Sequence, residues 1–452
     1  MPEVKIHLEI ILPAERLSVN ALIALFQRLL MQLVPQLVAA WLAAWQDFEL
    51  TRWLGPHWRP DQQQPTPWVC PDCQSHWGFN RRGSRSRVLR KTSLGRIAFE
   101  LRQVTCQICG RTFAPLAELL ELRPYQVSTT EFRARAAQTV CQVSYQRAAT
   151  MVSQAPLVAP VSAMAIHCWV QQHGAQVAFA AEPADDHPLL LDGTKVKAGS
   201  HKRGAPLNLG IALLGRTTAG GRPRLLKQVV AFGVDEGWAT TLQPLAHIQP
   251  ERVLFDGDPE LEAVIQALWP GAHLQRCLWH LPHQLYRALW EGGVSKADSR
   301  PIQARLTDLV YNSPTVEQAQ AAYQALQDEL LLEGLTRGAN YLREAQPHVF
   351  TFRQHPDGVF TERSWTETCQ ALLATSPLER EMREIDRRTD NGSRWSVPGV
   401  RHLVGLDLVR RYDAPQWQRL WQLPETSCLP GSASILKVQV ETLWLASNVK
   451  TT

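Results

Sequence analysis

Two apolar segments of the chain each run into an aspartate that is followed by a glycine. Residues 189–191 lead into Asp192, and residues 252–255 lead into Asp256, 64 positions later. Continuous apolar runs of this kind are typical of strands buried in a central sheet, and ligand sites form where such strands end. Carboxylates are hard oxygen ligands that suit Mg²⁺ and Mn²⁺. The sequence therefore predicts one divalent-metal site, shared by two aspartates that each end a strand.

A cysteine and a histidine three positions apart follow the second aspartate. Cys277 and His280 form a Cys-x-x-His pattern, preceded by Gln275 and Arg276. With neighbouring runs in the same order, this arrangement resembles the central domain of Mutator-like transposases, a superfamily that includes many bacterial insertion-sequence transposases. The resemblance covers residues 185–290 and, less closely, 370–400. The runs that carry it are 192–197, 207–213, 229–232 with Trp238, 253–257 and 277–280.

The resemblance implies an α/β protein whose RNase H-like catalytic domain is interrupted by an all-helical insertion. It also implies a DNA transposase that cleaves and joins insertion-sequence ends with two Mg²⁺ or Mn²⁺ ions per active site. Two such ions about 3.5–4 Å apart activate the attacking oxygen and stabilise the leaving oxygen of an in-line displacement. Asp192 and Asp256 would be the first two catalytic and metal-binding residues of a DDE triad.

The third carboxylate is expected on a basic helix after the insertion. In the matching context, Ser376 is a suitable N-cap and Pro377 suits the first helical position, which places Glu379 in the first turn. The family more usually has an asparagine where Pro377 stands. Glu381 and Glu384 lie on the same helix, but each residue turns the helix by about 100°, so Glu381 points away from Glu379. Glu379 is therefore the predicted third ligand.

Cys277 and His280 leave two interpretations open. With His283 one helical turn further on, they could bind zinc, although the sequence offers no evident fourth ligand. The resemblance implies instead a structural or DNA-positioning role beside the active site.

Four other cysteines have the spacing of a structural zinc site. Two C-x2-C pairs are separated by 32 residues, and both segments between them, 88–91 and 97–104, alternate as strands of a hairpin would around a turn at 93–95. A redox pair is the competing interpretation, but neither pair lies in a strand-to-helix context. The predicted Zn²⁺ ligands are Cys70, Cys73, Cys106 and Cys109.

The same hairpin is strongly basic. Between positions 81 and 111 there are nine Arg or Lys residues against one acidic residue, although the whole chain has a net charge of only +5. Such a concentration is typical of a surface that neutralises phosphates, and a solvated basic loop is the alternative. The predicted DNA-binding residues are Arg81, Arg82, Arg85, Arg87, Arg90 and Lys91.

Helical patterns flank the ribbon on both sides. Leu22 to Trp45 reads as an amphipathic helix, too polar for an unbroken membrane span, that either packs in a local core or self-associates. Thr129 caps a helical run, and the stretch from Ser144 leads through Pro156 and Pro160 to a further run that begins near Ser162. This order suggests a helix-turn-helix that reads DNA, or a purely structural helical hairpin.

The segments give a provisional order of parts. They are an N-terminal helical segment (1–60), a zinc ribbon (61–122), a helix-turn-helix-like region (123–182), the first part of the RNase H-like domain (183–280), the helical insertion (281–373), the second part of the RNase H-like domain (374–414) and a tail (415–452). The start of the chain lacks a secretory signal, so a cytoplasmic, nucleoid-associated bacterial protein with reduced cysteines is expected.

The expected partners are the terminal inverted repeats of the element and the target DNA, both double-stranded, with a homodimer or higher oligomer on DNA and no membrane. Two other functions remain open: an idle transposase descendant that regulates by binding DNA, and an RNase H-like nuclease that cuts without joining. Trp365 and Trp395, among 16 tryptophans, either stack on unpaired bases or pack in the core.

Overall fold

A computed structural model describes residues 18–55, 65–154, 159–179, 183–185, 187–200, 202, 204–219, 222–354, 375–390 and 394–423. Within these ranges a long helix and a small sheet come first, a group of helices follows, and a larger sheet with helices on both faces completes the fold.

The N-terminal helix α1 (Val19–Leu54) is capped by the Ser18 side chain and ends at Gly55. Its second half is attached to the small sheet, because the buried Gln46 side chain donates to Glu100 O and accepts from Arg102 N. The first half is different: the apolar side predicted from the sequence is largely exposed there, so the local-core interpretation holds only for the second half. Among the described helices, α1 is long and apolar enough to span a membrane by length and composition alone, so the expectation that this stretch is too polar for a span does not hold on those two criteria.

The small sheet contains the predicted hairpin. Strands β1 (Phe79–Leu89), β2 (Ile97–Cys106) and β3 (Thr112–Phe113) pair antiparallel in that order, followed by the short helix α2 (Leu116–Leu119). The turn lies where expected: Thr92 Oγ1 donates to Gly95 O at 2.7 Å, and Gly95 has a φ of +91° that favours glycine. The first strand begins nine residues earlier than the alternation at 88–91 indicates.

Three capped helices follow instead of two. They are α3 (Thr130–Val140), α4 (Tyr145–Ser153) and α5 (Ala163–Gly174), capped by Thr129, Ser144 and Ser162 as the sequence suggests. Buried residues of α3, α4 and α5 share one apolar cluster with Leu403, Leu406 and Trp421 from two C-terminal helices. One face of α5 is therefore packed in the core and the opposite face is exposed, so the structure leaves both the helix-turn-helix and the structural-hairpin interpretations open. Pro156 lies outside the described residues.

The larger sheet has five strands: β4 (Leu189–Val196), β5 (Ala205–Ala219), β6 (Arg222–Val234), β7 (Arg252–Phe255) and β8 (His273–Arg276). Their order in the sheet is β6-β5-β4-β7-β8. The central strand β4 pairs antiparallel with β5 and parallel with β7; β5 and β6 are antiparallel, and β7 and β8 are parallel.

Helices cover both faces of this sheet. They are α6 (Trp238–Leu242), α7 (Pro259–Leu268), α8 (His280–Glu291), α9 (Lys296–Asn312), α10 (Val316–Leu332), α11 (Thr336–Ala345), α12 (Thr351–Gln354), α13 (Ser376–Thr389), α14 (Val397–Tyr412) and α15 (Ala414–Trp421), with 3-10 turns at Gln243–Leu245 and Gln346–His348. One apolar cluster joins Leu189, Leu191 and Phe255 to α6 and α7. Another joins the opposite face of the sheet to the helices of the predicted insertion and to α13 and α14.

Candidate active site at the edge of the central sheet

The two predicted aspartates lie on neighbouring parallel strands. Leu191 of β4 is paired with Phe255, the last residue of β7, so Asp192 and Asp256 follow the same rung of the ladder. Asp256 ends its strand as predicted. Asp192 does not, because β4 continues to Val196 beside β5; it lies at the edge only with respect to β7. The expectation that both aspartates end a strand is therefore wrong for Asp192, although they are still brought together.

Both carboxyl groups are held by backbone N–H groups. Asp192 Oδ1 accepts from Gly193 N at 2.8 Å, and Asp256 Oδ1 accepts from Asp258 N at 3.0 Å. Burial nevertheless raises the pKa of Asp192 to about 8, with the charges of Asp256 and Glu379 acting in the same direction. Burial also raises the pKa of Asp256. Ionising both buried carboxyl groups therefore costs free energy, and a bound cation would offset that cost.

Glu379 lies in the first turn of α13, as predicted. The charge of Glu379 contributes to the raised pKa of Asp192. Among the described residues, its buried Oε1 atom accepts no hydrogen bond, and the nitrogen atoms nearest to its carboxyl group are His280 Nε2 at 3.7 Å and Arg383 Nη2 at 3.8 Å. A buried carboxylate oxygen without a donor is chemically suited to a metal ion, so this donor set fits Mg²⁺ or Mn²⁺.

The other two glutamates of the helix have different surroundings. Glu381 is buried and forms ion pairs with Lys227, at 2.9 Å, and with Arg411. Glu384 is exposed and pairs with Arg387 at 2.6 Å. Of the three glutamates, Glu379 is thus the one beside the aspartates.

The helix cap differs from the prediction. Helix α13 begins at Ser376, and its N-cap is Thr375, whose side chain makes no capping hydrogen bond. Ser376 as N-cap is therefore wrong by one residue. The Thr375 hydroxyl is directed to Cys277 Sγ and His280 Nδ1, both at 3.4 Å. No pattern in the sequence assigns a role to Thr375.

Cys277 and His280 lie beside Glu379 rather than beside His283. Cys277 Sγ, a His280 ring nitrogen and a Glu379 oxygen all lie within 4.8 Å of one another. The His283 ring is stacked on Trp279, and its Nδ1 lies 2.7 Å from Trp279 O. Burial raises the pKa of the Cys277 thiol and lowers the pKa of His280. Both groups are therefore neutral near pH 7 in the absence of a cation.

Arg276 is a residue whose role the sequence did not reveal. It is buried, donates to Gly257 O and to Gln284 Oε1, and its guanidinium lies over the Tyr341 ring. Gly257 has a φ of +95°, and a Cβ there would collide with the guanidinium. Arg276 opposes the effect of burial on the pKa of Asp256, and both line a cavity of about 640 Å³ at the sheet edge.

The four ribbon cysteines converge. Cys70 Sγ and Cys109 Sγ are 3.4 Å apart, Cys73 Sγ and Cys106 Sγ are 3.6 Å apart, and all four sulfurs lie within 4.8 Å of one another. Tetrahedral zinc with Zn–S bonds of about 2.3 Å places sulfurs roughly 3.8 Å apart. The donor set therefore fits a structural zinc ion.

The basic residues of the hairpin divide into two groups. Arg81 donates to Thr51 Oγ1 and Gly55 O, and Arg87 donates to Arg123 O and Gln126 O, so both attach the hairpin to neighbouring segments. Lys91 is half-buried. The remaining three, Arg82, Arg85 and Arg90, are exposed.

The two tryptophans also differ. Trp395 is half-buried: its Nε1 donates to Thr389 O, and Arg388 lies 5.0 Å above its ring, which is the packing alternative. Trp365 lies outside the described residues.

Comparisons with known proteins bear on the same segment. A sequence profile described as "Transposase, Mutator family" matches residues 191–398, which include both aspartates, Glu379, Cys277 and His280. Over these residues, slightly less than half of the chain, the sequence is similar to the Mutator transposase family. A probable transposase for an insertion sequence element from Corynebacterium diphtheriae is 30% identical over 157 residues. That alignment covers 34% of this chain and 41% of the relative, so the chain matches about two fifths of the relative's length.

Among solved structures, the Drosophila P element transposase strand transfer complex aligns over 69% of this chain and 87% of its own, with 11% identity and a TM-score of 0.26. Similarity at that level carries no argument about the Mutator-family segment.

Proposed function

We propose that the chain is a DNA transposase that cleaves insertion-sequence ends and joins them to target DNA, with Asp192, Asp256 and Glu379 as its DDE triad. The observation that carries the proposal is that Asp192 and Asp256 follow the same rung of two parallel strands, both with raised pKa, and that the charge of Glu379 acts on Asp192. Glu379 also has a buried oxygen that accepts no hydrogen bond among the described residues.

The topology supports an RNase H-like catalytic domain. A central strand with an antiparallel neighbour on one side and a parallel neighbour on the other, in the order β6-β5-β4-β7-β8, is the arrangement expected of that fold. The helices α8 to α12 separate the second aspartate from Glu379 in sequence, as an all-helical insertion would.

Mg²⁺ or Mn²⁺, when bound, would supply charge stabilisation to the attacking and leaving oxygens of the phosphoryl transfer. Asp192 and Asp256 would hold it from the sheet and Glu379 from the helix. Arg276 holds the backbone at Gly257 and places its positive charge near Asp256. Lys227 and Arg411 hold the opposite side of α13 through their ion pairs with Glu381. The protein thus fixes the carboxylates before DNA or metal binds.

The proposal includes DNA as partner and the cysteine cluster as a zinc ribbon. Arg82, Arg85 and Arg90 would contact phosphates of the terminal repeats. Assembly as a homodimer or higher oligomer on DNA, action on the bacterial nucleoid and no role for a membrane are part of the same proposal.

The test uses purified full-length chain and the DNA that flanks its gene. With Mg²⁺, the wild type should nick the element ends and join them to a target, whereas Asp192→Ala and Asp256→Ala should retain end binding without cleavage. Cleavage without joined product would favour the nuclease alternative. End binding without any metal-dependent cleavage by the wild type would favour the idle regulator.

A further inference from the structure

Thr375 occupies a position where its side chain normally serves a helix. A threonine at an N-cap usually accepts a hydrogen bond from a backbone N–H of the first turn. Here the side chain makes no such bond, and the residue is completely buried. A buried hydroxyl that gives up the capping role must be satisfied elsewhere.

Its partners come from the other side of the predicted insertion. Thr375 N donates to Cys277 Sγ at 3.2 Å, the hydroxyl donates to the same sulfur at 3.4 Å, and the hydroxyl oxygen lies 3.4 Å from His280 Nδ1. The Thr375 side chain also lowers the pKa of the Asp192 carboxyl group. One side chain therefore contacts the Cys-x-x-His motif and lies near the first aspartate.

The same residue holds the first turn of α13. Thr375 O accepts from Leu378 N at 2.8 Å and from Glu379 N at 2.9 Å. Any movement of Thr375 relative to Cys277 therefore moves the backbone of Glu379, while the opposite side of the helix is fixed by Glu381.

The hydrogen-bond inventory gives His280 a defined role. A hydroxyl has one proton and two lone pairs, so it can donate to sulfur or carboxylate while it accepts from His280 Nδ1–H. In that tautomer His280 Nε2 is an acceptor, 3.7 Å from a Glu379 oxygen. Two acceptors facing each other across this distance suit a cation between them.

We propose that Thr375 is the positioning residue of the active site: through Cys277 and His280 it holds the first turn of α13, and with it Glu379, in place beside the aspartates for a divalent cation. This inference depends on the proposed function, since it assigns a role within the same site. Cys277 then acts as a buried hydrogen-bond acceptor, and its thiol is not a zinc ligand.

Thr375→Val and Thr375→Ser separate this role from packing. Valine keeps the shape and the backbone N–H but lacks the hydroxyl, whereas serine keeps the hydroxyl. The matched control is Thr389→Val in the same helix, since Thr389 is equally buried but its hydroxyl bonds to Ile385 O within the helix.

The primary readout is the affinity for Mn²⁺ in the absence of DNA, measured by electron paramagnetic resonance. Loss of a group that orients a metal ligand typically weakens affinity about 10- to 100-fold, so we expect at least about a tenfold loss for Thr375→Val. The Mn²⁺ affinity of Thr375→Ser and of Thr389→Val should stay within about twofold of the wild-type value, well below the loss expected when an orienting group is removed. For cleavage, Thr375→Val should lower kcat with little change in DNA affinity.

Wild-type Mn²⁺ affinity in Thr375→Val, or equal losses in Thr375→Val and Thr389→Val, would overturn the positioning role. Stoichiometric zinc that is lost in Cys277→Ala and retained in Cys73→Ser would also overturn it, because Cys277 would then be a metal ligand. Asp256→Asn tests the proposed function separately. If Asp256→Asn abolishes Mn²⁺ binding and Thr375→Val does not, only the positioning role fails; if wild type and Asp256→Asn bind Mn²⁺ alike, the proposed function fails.

Discussion

The cysteine cluster and the carboxylate site are assembled at very different distances along the chain. All four thiols come from one hairpin and its flanks, between positions 70 and 109, and their convergence follows from two tight turns and one antiparallel pairing. The carboxylates come from two parallel strands and a helix, between positions 192 and 379. The first site can form locally, whereas the second exists only once the sheet and its covering helices are packed.

The largest expected effect separates two glutamates of α13, of which only Glu379 lies beside the aspartates. Glu379→Gln should reduce metal-dependent cleavage to near the detection limit with little loss of stability, because it removes a ligand charge from a poorly satisfied position. Glu381→Gln should instead lower the free energy of unfolding by about 3 kcal/mol, since it leaves Lys227 and Arg411 without their buried partner.

Cleavage rates and urea unfolding curves measure these two effects, with the exposed Glu384→Gln as control at less than about 0.5 kcal/mol. If Glu381→Gln stops cleavage at full stability while Glu379→Gln is active, the third carboxylate has been misplaced.

Removal of one thiol should affect the local site alone. Cys73→Ser should take zinc from one ion per chain to none and open the ribbon, because zinc binding contributes directly to the folding of such small units. Elemental analysis and hydrogen exchange over residues 65–122 measure both effects. The exposed Cys168 provides the control, since Cys168→Ser should keep its zinc.

In the same Cys73→Ser protein, Mn²⁺ affinity at the carboxylates should be unchanged. Full zinc occupancy there would contradict the four-thiolate site, and a parallel loss of Mn²⁺ would contradict the independence of the two regions.

A smaller effect concerns pH. The pKa of Asp192 in the fold, about 8, is above its usual value, so its contribution to stability is present below about pH 4 and is lost as pH rises through 8. Without divalent metal, Asp192→Asn should therefore gain stability relative to wild type across this range, by at least about 1 kcal/mol or roughly 2–4 °C in Tm.

Thermal melts at pH 5 and pH 8.5 measure the difference, and Mn²⁺ should reverse it for the wild type alone. A Tm difference that is the same at both pH values would show that Asp192 ionises normally in the fold.

The smallest effect tests the surface of the ribbon. Arg85→Gln with Arg90→Gln should lower DNA affinity and reduce the slope of log K against log salt by about 1.8, since each lost phosphate contact contributes about 0.9. The control neutralises Lys296 and Arg300, two exposed cations on α9. Arg87 is unsuitable for this test because it donates to two backbone carbonyls. An unchanged slope would assign these arginines to a solvated face.

Local features were predictable from the sequence because they depend on spacing along the chain. Four features follow from residue types within a few positions of one another. They are the two C-x2-C pairs, the turn near Gly95, the Thr129 cap and the position of Glu379 in a first helical turn. The order of motifs around Asp192 and Asp256 was also sufficient to identify the Mutator family in residues 191–398.

Tertiary structure decided how those features are used. It placed Asp192 inside a strand, turned the Thr375 hydroxyl away from its helix, engaged Arg87 with the backbone and left the first half of α1 exposed. Each outcome depends on contacts between residues that are distant in sequence: Thr375 meets Cys277 across 98 positions. Periodicity and capping specify which direction a side chain takes from its own element, but only the packed neighbours determine what it meets there.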